Sequence, residues 1–184
     1  MDEYVVLVDE NNNVLGTGPK LATHNDNTPL HRGFSVFLFS KAGDLLLQQR
    51  SNLKKTWPLI WSNSCCGHPT LEESPEQAGQ RRLAFELGLQ KIELHMILPK
   101  YRYKYTHKGV IENEICPVMI GFSNDIPQPN PKEVAKIRYT AWQSFLTEIK
   151  KDNDYSEWCV EEAQFLDASP LFQEIFSQKT RMDY

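Results

Sequence analysis

The stretch from about Pro75 to Leu87 carries its own start and stop signals, and the rest of the chain has to be arranged around the helix they specify. Ser74 is at the N-cap position, and Pro75 is at the first helical position, where its missing N–H costs nothing. Gln77 is at the third, where its side chain completes a reciprocal capping box with Ser74. Gly88 then closes the helix, because glycine adopts the left-handed conformation that ends one. The first third of the chain alternates like strands. Tyr4 to Val8 and Val14 to Thr17 flank Glu10-Asn11-Asn12-Asn13 and predict one hairpin; Phe34 to Phe39 and Leu45 to Gln49 flank Lys41-Ala42-Gly43-Asp44 and predict another. After the helix, strands are expected at Ile92 to Tyr105, Val110 to Phe122 and Ile137 to Trp142. Amphipathic helices are expected near Phe145 to Lys150, Trp158 to Phe165 and Leu171 to Gln178. The class is α+β: a mixed β-sheet packed between helices and preceded by an N-terminal β-hairpin.

No repeat, low-complexity tract or linker interrupts this pattern, and Gln128-Pro129-Asn130-Pro131 reads as a surface loop. With 184 residues, 40% of them hydrophobic, residues 1–184 are expected to form a single domain. The net charge of −4 and pI near 5.7 leave no electrostatic footprint for nucleic acid, so functional basic residues should act locally on a small anion. No apolar run reaches membrane-spanning length, and Met1-Asp2-Glu3 does not begin a signal segment, so a cytoplasmic monomer is expected. There, Cys65, Cys66, Cys116 and Cys159 should be reduced, and the adjacent pair matches neither a zinc-ribbon nor a C-x-x-C spacing.

Spacing places the chemistry. Cys66 and His68 are two apart in an extended segment and share a face, while Cys65 turns to the other side, into the core. Glu112 and Glu114 likewise share a face, which alone would be read as a solvated strand surface, but Pro117-Val118-Met119-Ile120 follows as the buried continuation of a central strand. His24 and His31 flank the turn-rich Asn25-Asp26-Asn27-Thr28-Pro29, which could fold both imidazoles onto one ion; taken singly, such a pair is more often two ordinary surface histidines. Three imidazoles and two carboxylates would suit zinc or manganese and suit calcium poorly. His95 and His107 receive no role.

Gly67 to Leu89 is similar to the Nudix box, G-x5-E-x7-R-E-U-x-E-E-x-G-U with U apolar. Gly67, Glu73, Arg81, Leu83, Glu86, Gly88 and Leu89 are in register, but Arg82 and Phe85 stand where a Nudix hydrolase has glutamates. Leu30-His31-Arg32-Gly33-Phe34-Ser35, Lys54-Lys55-Thr56-Trp57-Pro58, Asn63-Ser64-Cys65-Cys66-Gly67-His68-Pro69 and Glu112-Asn113-Glu114 complete a resemblance to the type I isopentenyl-diphosphate delta-isomerases. It runs from the first hairpin to the segment around Trp158. The resemblance implies a Nudix-related fold and interconversion of isopentenyl and dimethylallyl diphosphate. It implies one divalent metal (Mn, Zn or Mg) on His24, His31, His68, Glu112 and Glu114, and a magnesium near Glu86 with the substrate diphosphate. It also implies Cys66 and Glu114 as the catalytic pair, assisted by Tyr103, with Trp158 over the reacting carbons, and Lys20, Arg50, Lys54 and Arg82 as receptors for the diphosphate. Tyr103 and Trp158 also fit plain packing, and each basic residue also fits a solvated surface cation.

The reaction needs these residue types. Protonating an alkene takes a well-placed acid and yields a tertiary carbocation that water would capture, so the pocket must be dry. An indole face stabilises such a cation by about 2 kcal/mol or more when desolvated, without offering a nucleophile. The neighbouring carbon must then lose a proton to a base on the opposite face, a task for a Cys66 thiolate if its pKa falls below the ordinary value of about 8.5. Two alternatives compete: a Nudix hydrolase, disfavoured because Arg82 replaces a metal-binding glutamate, and a non-catalytic diphosphate-binding module, which has no use for Cys66 facing Glu114.

Overall fold

The computed structural model describes residues 3–151 and 154–180. Two β-sheets, not one, form the frame. The first runs β2 (Val14–Pro19), β1 (Tyr4–Val8), β3 (His31–Arg32), β10 (Val110–Ile115), β9 (Arg102–His107); the N-terminal hairpin is its edge. The second runs β12 (Val134–Ala141), β5 (Asp44–Arg50), β4 (Phe34–Phe39), β11 (Val118–Phe122), β8 (Leu94–Leu98), with the short β6 (Trp61–Ser62) beside β5 and β7 (Cys65–Gly67) beside β4.

Two parallel neighbours carry the chain from one sheet to the other. β3 continues through Gly33 into β4, and β10 continues through Cys116 and Pro117 into β11. The crossings are held side by side by Gly33 N–H to Ile115 O at 2.9 Å and Ser35 N–H to Pro117 O at 3.0 Å. The sequence predicts one strand over Val110 to Phe122 and another over Ile92 to Tyr105. Each is broken at a proline, Pro117 and Pro99, which have no N–H to give to a ladder.

Alternation along β4 divides the core. Phe34, Val36 and Leu38 face α2 (Pro75–Leu87), packing with Leu83, Leu87 and Cys65. Phe37 and Phe39 face the opposite layer, where Trp142 and Phe145 of α3 (Trp142–Glu148), Trp158 of α4 (Glu157–Ala168) and Phe172 of α5 (Pro170–Thr180) complete a larger cluster. At roughly 25 cal/mol per Å² of apolar surface removed from water, this division supplies most of the drive to fold.

The α2 ends are built as their residues dictate. Ser74 Oγ accepts from Gln77 N–H at 3.3 Å while Gln77 Oε1 accepts from Ser74 N–H at 2.8 Å. Gly88 takes φ 67°, with its N–H on Ala84 O and the N–H of Leu89 on Leu83 O. The Gln128–Asn130 loop satisfies two further carbonyls, those of Leu87 and Glu86. No helix among the described residues is long and apolar enough to cross a membrane.

Candidate active site

The site lies where the two crossings meet. Strand register aligns its parts: Glu114 on β10 is opposite His31 on β3 and opposite Tyr103 on β9. Across the crossing, Cys66 on β7 is opposite Ser35 on β4, which leaves Cys65 fully buried against α2, as alternation predicted. His24 arrives from the end of a four-residue helix, α1 (Lys20–Thr23), which the sequence reading did not resolve.

His24, His31, His68, Glu112 and Glu114 present ligand atoms all within 4.8 Å of one another. Carbonyl oxygens only accept, so the contacts of His24 Nδ1 with Lys20 O (2.6 Å) and His31 Nδ1 with Pro29 O (2.9 Å) put the imidazole protons outward and the Nε2 lone pairs inward. There His31 Nε2 meets His68 Nε2 at 3.3 Å, and His24 Nε2 is 3.0 Å from Glu112 Oε2 without hydrogen-bond geometry, both atoms buried and unpartnered. Two buried acceptors, His24 Nε2 and Glu112 Oε2, facing each other with no proton between them are what a cation resolves, and ligand distances of about 2.0–2.2 Å fit the span of the group. The residues therefore fit a divalent metal ion. His68 Nε2 also bonds Glu114 Oε1 at 2.9 Å. Burial pushes His68 down to about 4, and burial of Glu114 is outweighed by His68 and His31, which hold its carboxyl well below the usual range.

A cavity of about 330 Å³ opens onto this group. His24, His68, Glu112 and Glu114 line its floor with Cys66; Tyr103 and Trp158 form a wall, their rings stacked 5.7 Å apart at 19°. Burial raises the Tyr103 hydroxyl well above its ordinary value, so it is neutral and able to donate. Lys20, Arg50 and Lys54 line the mouth, the Arg50 guanidinium 5.8 Å from the Trp158 ring centroid. Arg82 and Glu86 are not among the lining residues. Arg82 bonds Glu86 Oε1 and Gln48 donates to Glu86 Oε2 at 3.3 Å, so both carboxylate oxygens are engaged and Glu86 as arranged does not present itself to an ion.

Cys66 departs from the expectation of a lowered pKa. Burial and the nearby Glu162 push its thiol up to about 12, against Ser35, Arg50 and Asn63; its Sγ donates to Asn63 Oδ1 at 2.9 Å. Glu162 was not singled out from the sequence, although it follows Trp158 by one helical turn on the apolar face of α4; fully buried, its carboxyl is raised well above the ordinary value. Gly33 was also missed as a functional position. A Cβ there would lie 1.8 Å from Glu114 Oε2, so only glycine lets the carboxylate occupy its place. Lys55 and Glu133, both on the cavity, carried no sequence signal beyond their charge.

The comparisons with known proteins meet this geometry. Residues 29–159 match the NUDIX domain family. A protein named isopentenyl-diphosphate Delta-isomerase from Saccharopolyspora erythraea is 43% identical over 159 residues, covering 85% of this chain and 82% of that one. One of the same name from Mycolicibacterium vanbaalenii is 39% identical over 170 residues, covering 92% and 94%. The chain belongs to the isopentenyl-diphosphate Delta-isomerase family. The family's Nudix fold is shared with solved structures of distant sequence. DR0079 from Deinococcus radiodurans superimposes with a TM-score of 0.71 at 19% identity over 89% of this chain and 98% of that one. RenU, a Nudix hydrolase from M. smegmatis, does so at 0.59 and 16%, covering 98% of each. At such identities the likeness speaks for the fold alone.

Proposed function

We propose that the protein interconverts isopentenyl diphosphate and dimethylallyl diphosphate, adding a proton to one carbon and removing one from another through a tertiary carbocation. The reading rests on a single observation: a thiol and a carboxylate, Cys66 and Glu114, border the same aromatic-walled cavity in a chain whose relatives bear that enzyme name. In the forward direction the Glu114 side, through the neutral Tyr103 hydroxyl, delivers a proton to the terminal alkene carbon, whose π pair forms the new C–H bond. Cys66 takes a proton from the neighbouring carbon on the opposite face, and that C–H pair becomes the new double bond. Each forward turnover moves one proton from the Glu114 side into the product and one from the substrate to Cys66, and exchange of both groups with solvent restores the starting state. With the pocket unliganded, burial keeps Cys66 a thiol, so the forward direction requires that thiol first to give its proton to solvent.

Trp158, 2% exposed, turns an indole face to the cavity and contributes attraction for the cation while excluding water. Lys20, Arg50, Lys54 and Arg82 receive the diphosphate, Arg by paired donors and Lys as a point charge. A divalent ion (Mn, Zn or Mg) held by His24, His31, His68, Glu112 and Glu114 would fix the Glu114 carboxyl and make a proton on it more acidic. Incubation with isopentenyl diphosphate and magnesium tests the reading. Acid-labile allylic product without released phosphate is the expected result; phosphate without allylic product would establish the hydrolase instead.

A further inference from the structure

The cations that receive the diphosphate under the reading above are not bare, neither Lys20 and Lys54, which line the cavity, nor Arg82, which lies behind its lining. Glu3 Oε2 is 2.5 Å from Lys20 Nζ, and Glu3 Oε1 is 3.0 Å from Arg82 Nη1. Glu133 Oε2 is 2.5 Å from Lys54 Nζ and 2.9 Å from Arg82 Nη2. Two carboxylates thus contact three cations, and both carboxylates border the cavity.

The two acids differ in how firmly they are held. Glu133 has 16% of its side chain exposed, and its backbone is fixed on both sides, N–H to Asn130 O and carbonyl to Ser51 N–H. Glu3 is half exposed, and its backbone carbonyl accepts from Lys20 N–H at 2.8 Å, so its carboxylate can leave by side-chain rotation alone while its tether stays beside the site. Burial pushes the Glu3 carboxyl up, but Lys20, Arg82 and Lys54 outweigh it and hold it at about 2, so at neutral pH it must be removed as an anion by another anion.

We infer that Glu3 is a built-in competitor for the ligand's diphosphate: its carboxylate covers Lys20 and Arg82, yields them when a diphosphate enters, and reclaims them as the product leaves. The inference rests on the proposed reading only in assigning Lys20 and Arg82 to the diphosphate. A tethered group competes at an effective concentration in the millimolar range, so it lowers affinity without closing the site to a ligand that brings several charges and more oxygens. Substrate and product carry the same diphosphate, so any enzyme that grips it must also let it go. Glu3 supplies the counter-charge that makes the release favourable.

The test is calorimetric titration of the purified protein with inorganic pyrophosphate at fixed ionic strength, for wild type, Glu3→Gln and Glu3→Ala. Arg82 keeps Glu86 and Glu133 in both variants, so the fold is not at stake. Removing one negative charge at this distance should tighten pyrophosphate binding on the order of tenfold in both. Affinity unchanged or weakened in either variant would overturn the inference, because a residue that merely supports the site, or that helps bind the ligand, cannot give a gain. Isomerisation by the wild type is read separately. Tighter binding in a protein that makes no allylic product would sink the proposed function and leave the competitor standing, and the converse pattern would do the reverse.

Discussion

Gly33 and Cys66 define the site at the scale of single residues. The 1.8 Å approach of a Cβ at Gly33 to Glu114 Oε2 means that Gly33→Ala has to push the carboxylate aside. A displacement of that size costs about a hundredfold in turnover, so kcat should fall that far while the circular dichroism spectrum stays unchanged; a fully active Gly33→Ala would show that Glu114 need not be where the structure has it. The two adjacent cysteines separate the catalytic role from packing. Cys66→Ala and Glu114→Gln should each abolish isomerisation in a folded protein, whereas Cys65→Ala, which empties part of the pocket against α2, should remain active and lose about 1 kcal/mol of stability. An inactive Cys65→Ala with an active Cys66→Ala would reverse the assignment. The opposite orientation of this pair was legible in the sequence because strand alternation fixes it. The high pKa of Cys66 was not, because it depends on the burial of the thiol and, after that, on Glu162, and both come only from tertiary packing.

Elements show the same division between local signals and tertiary ones. The helix α2 was readable to the residue, since Ser74, Pro75, Gln77 and Gly88 act on their own backbone neighbourhood. Losing the cap hydroxyl in Ser74→Ala should cost about 1 kcal/mol, measurable as a lower midpoint in chemical unfolding with an unchanged slope. A wild-type midpoint would mean that packing on β4 and β7 alone holds the helix. Elements of two to four residues carry no period, which is why α1, β3 and β6 escaped notice although α1 adjoins His24 and β3 bears His31; the extended segment at Cys66 was read from its alternation. The long strands were read as continuous because hydrophobicity runs through Pro99 and Pro117; the breaks follow from the missing amide hydrogens, a rule that could have been applied to the sequence itself.

The whole molecule is two sheets sharing two crossings, and the candidate metal site bridges them. His31, Glu112 and Glu114 belong to the first sheet, His68 follows β7 on the second, and His24 comes from the helix between β2 and β3. An ion bound there cross-links the frame, and a ligand at a hundred times its Kd adds about 2.7 kcal/mol to a native state that alone binds it. Stripping the protein with a chelator should therefore lower the thermal midpoint by several degrees, with recovery on adding back manganese, zinc or magnesium; identical melting curves before and after would remove the ion from this site. The two-sheet division was beyond the reach of the sequence, because nothing local to β3 or β10 states that each will change sheets within a few residues.

Proton transfer at carbon is the central claim, and deuterated water examines it most directly. The protein is incubated with isopentenyl diphosphate and a divalent metal in that solvent, and the products are followed by proton and deuterium NMR. The account predicts dimethylallyl diphosphate carrying deuterium on a methyl group, with the diphosphate intact. Unlabelled dimethylallyl product would point to transfer without exchange at Glu114 and Cys66, and phosphate release in place of allylic product would contradict the account outright.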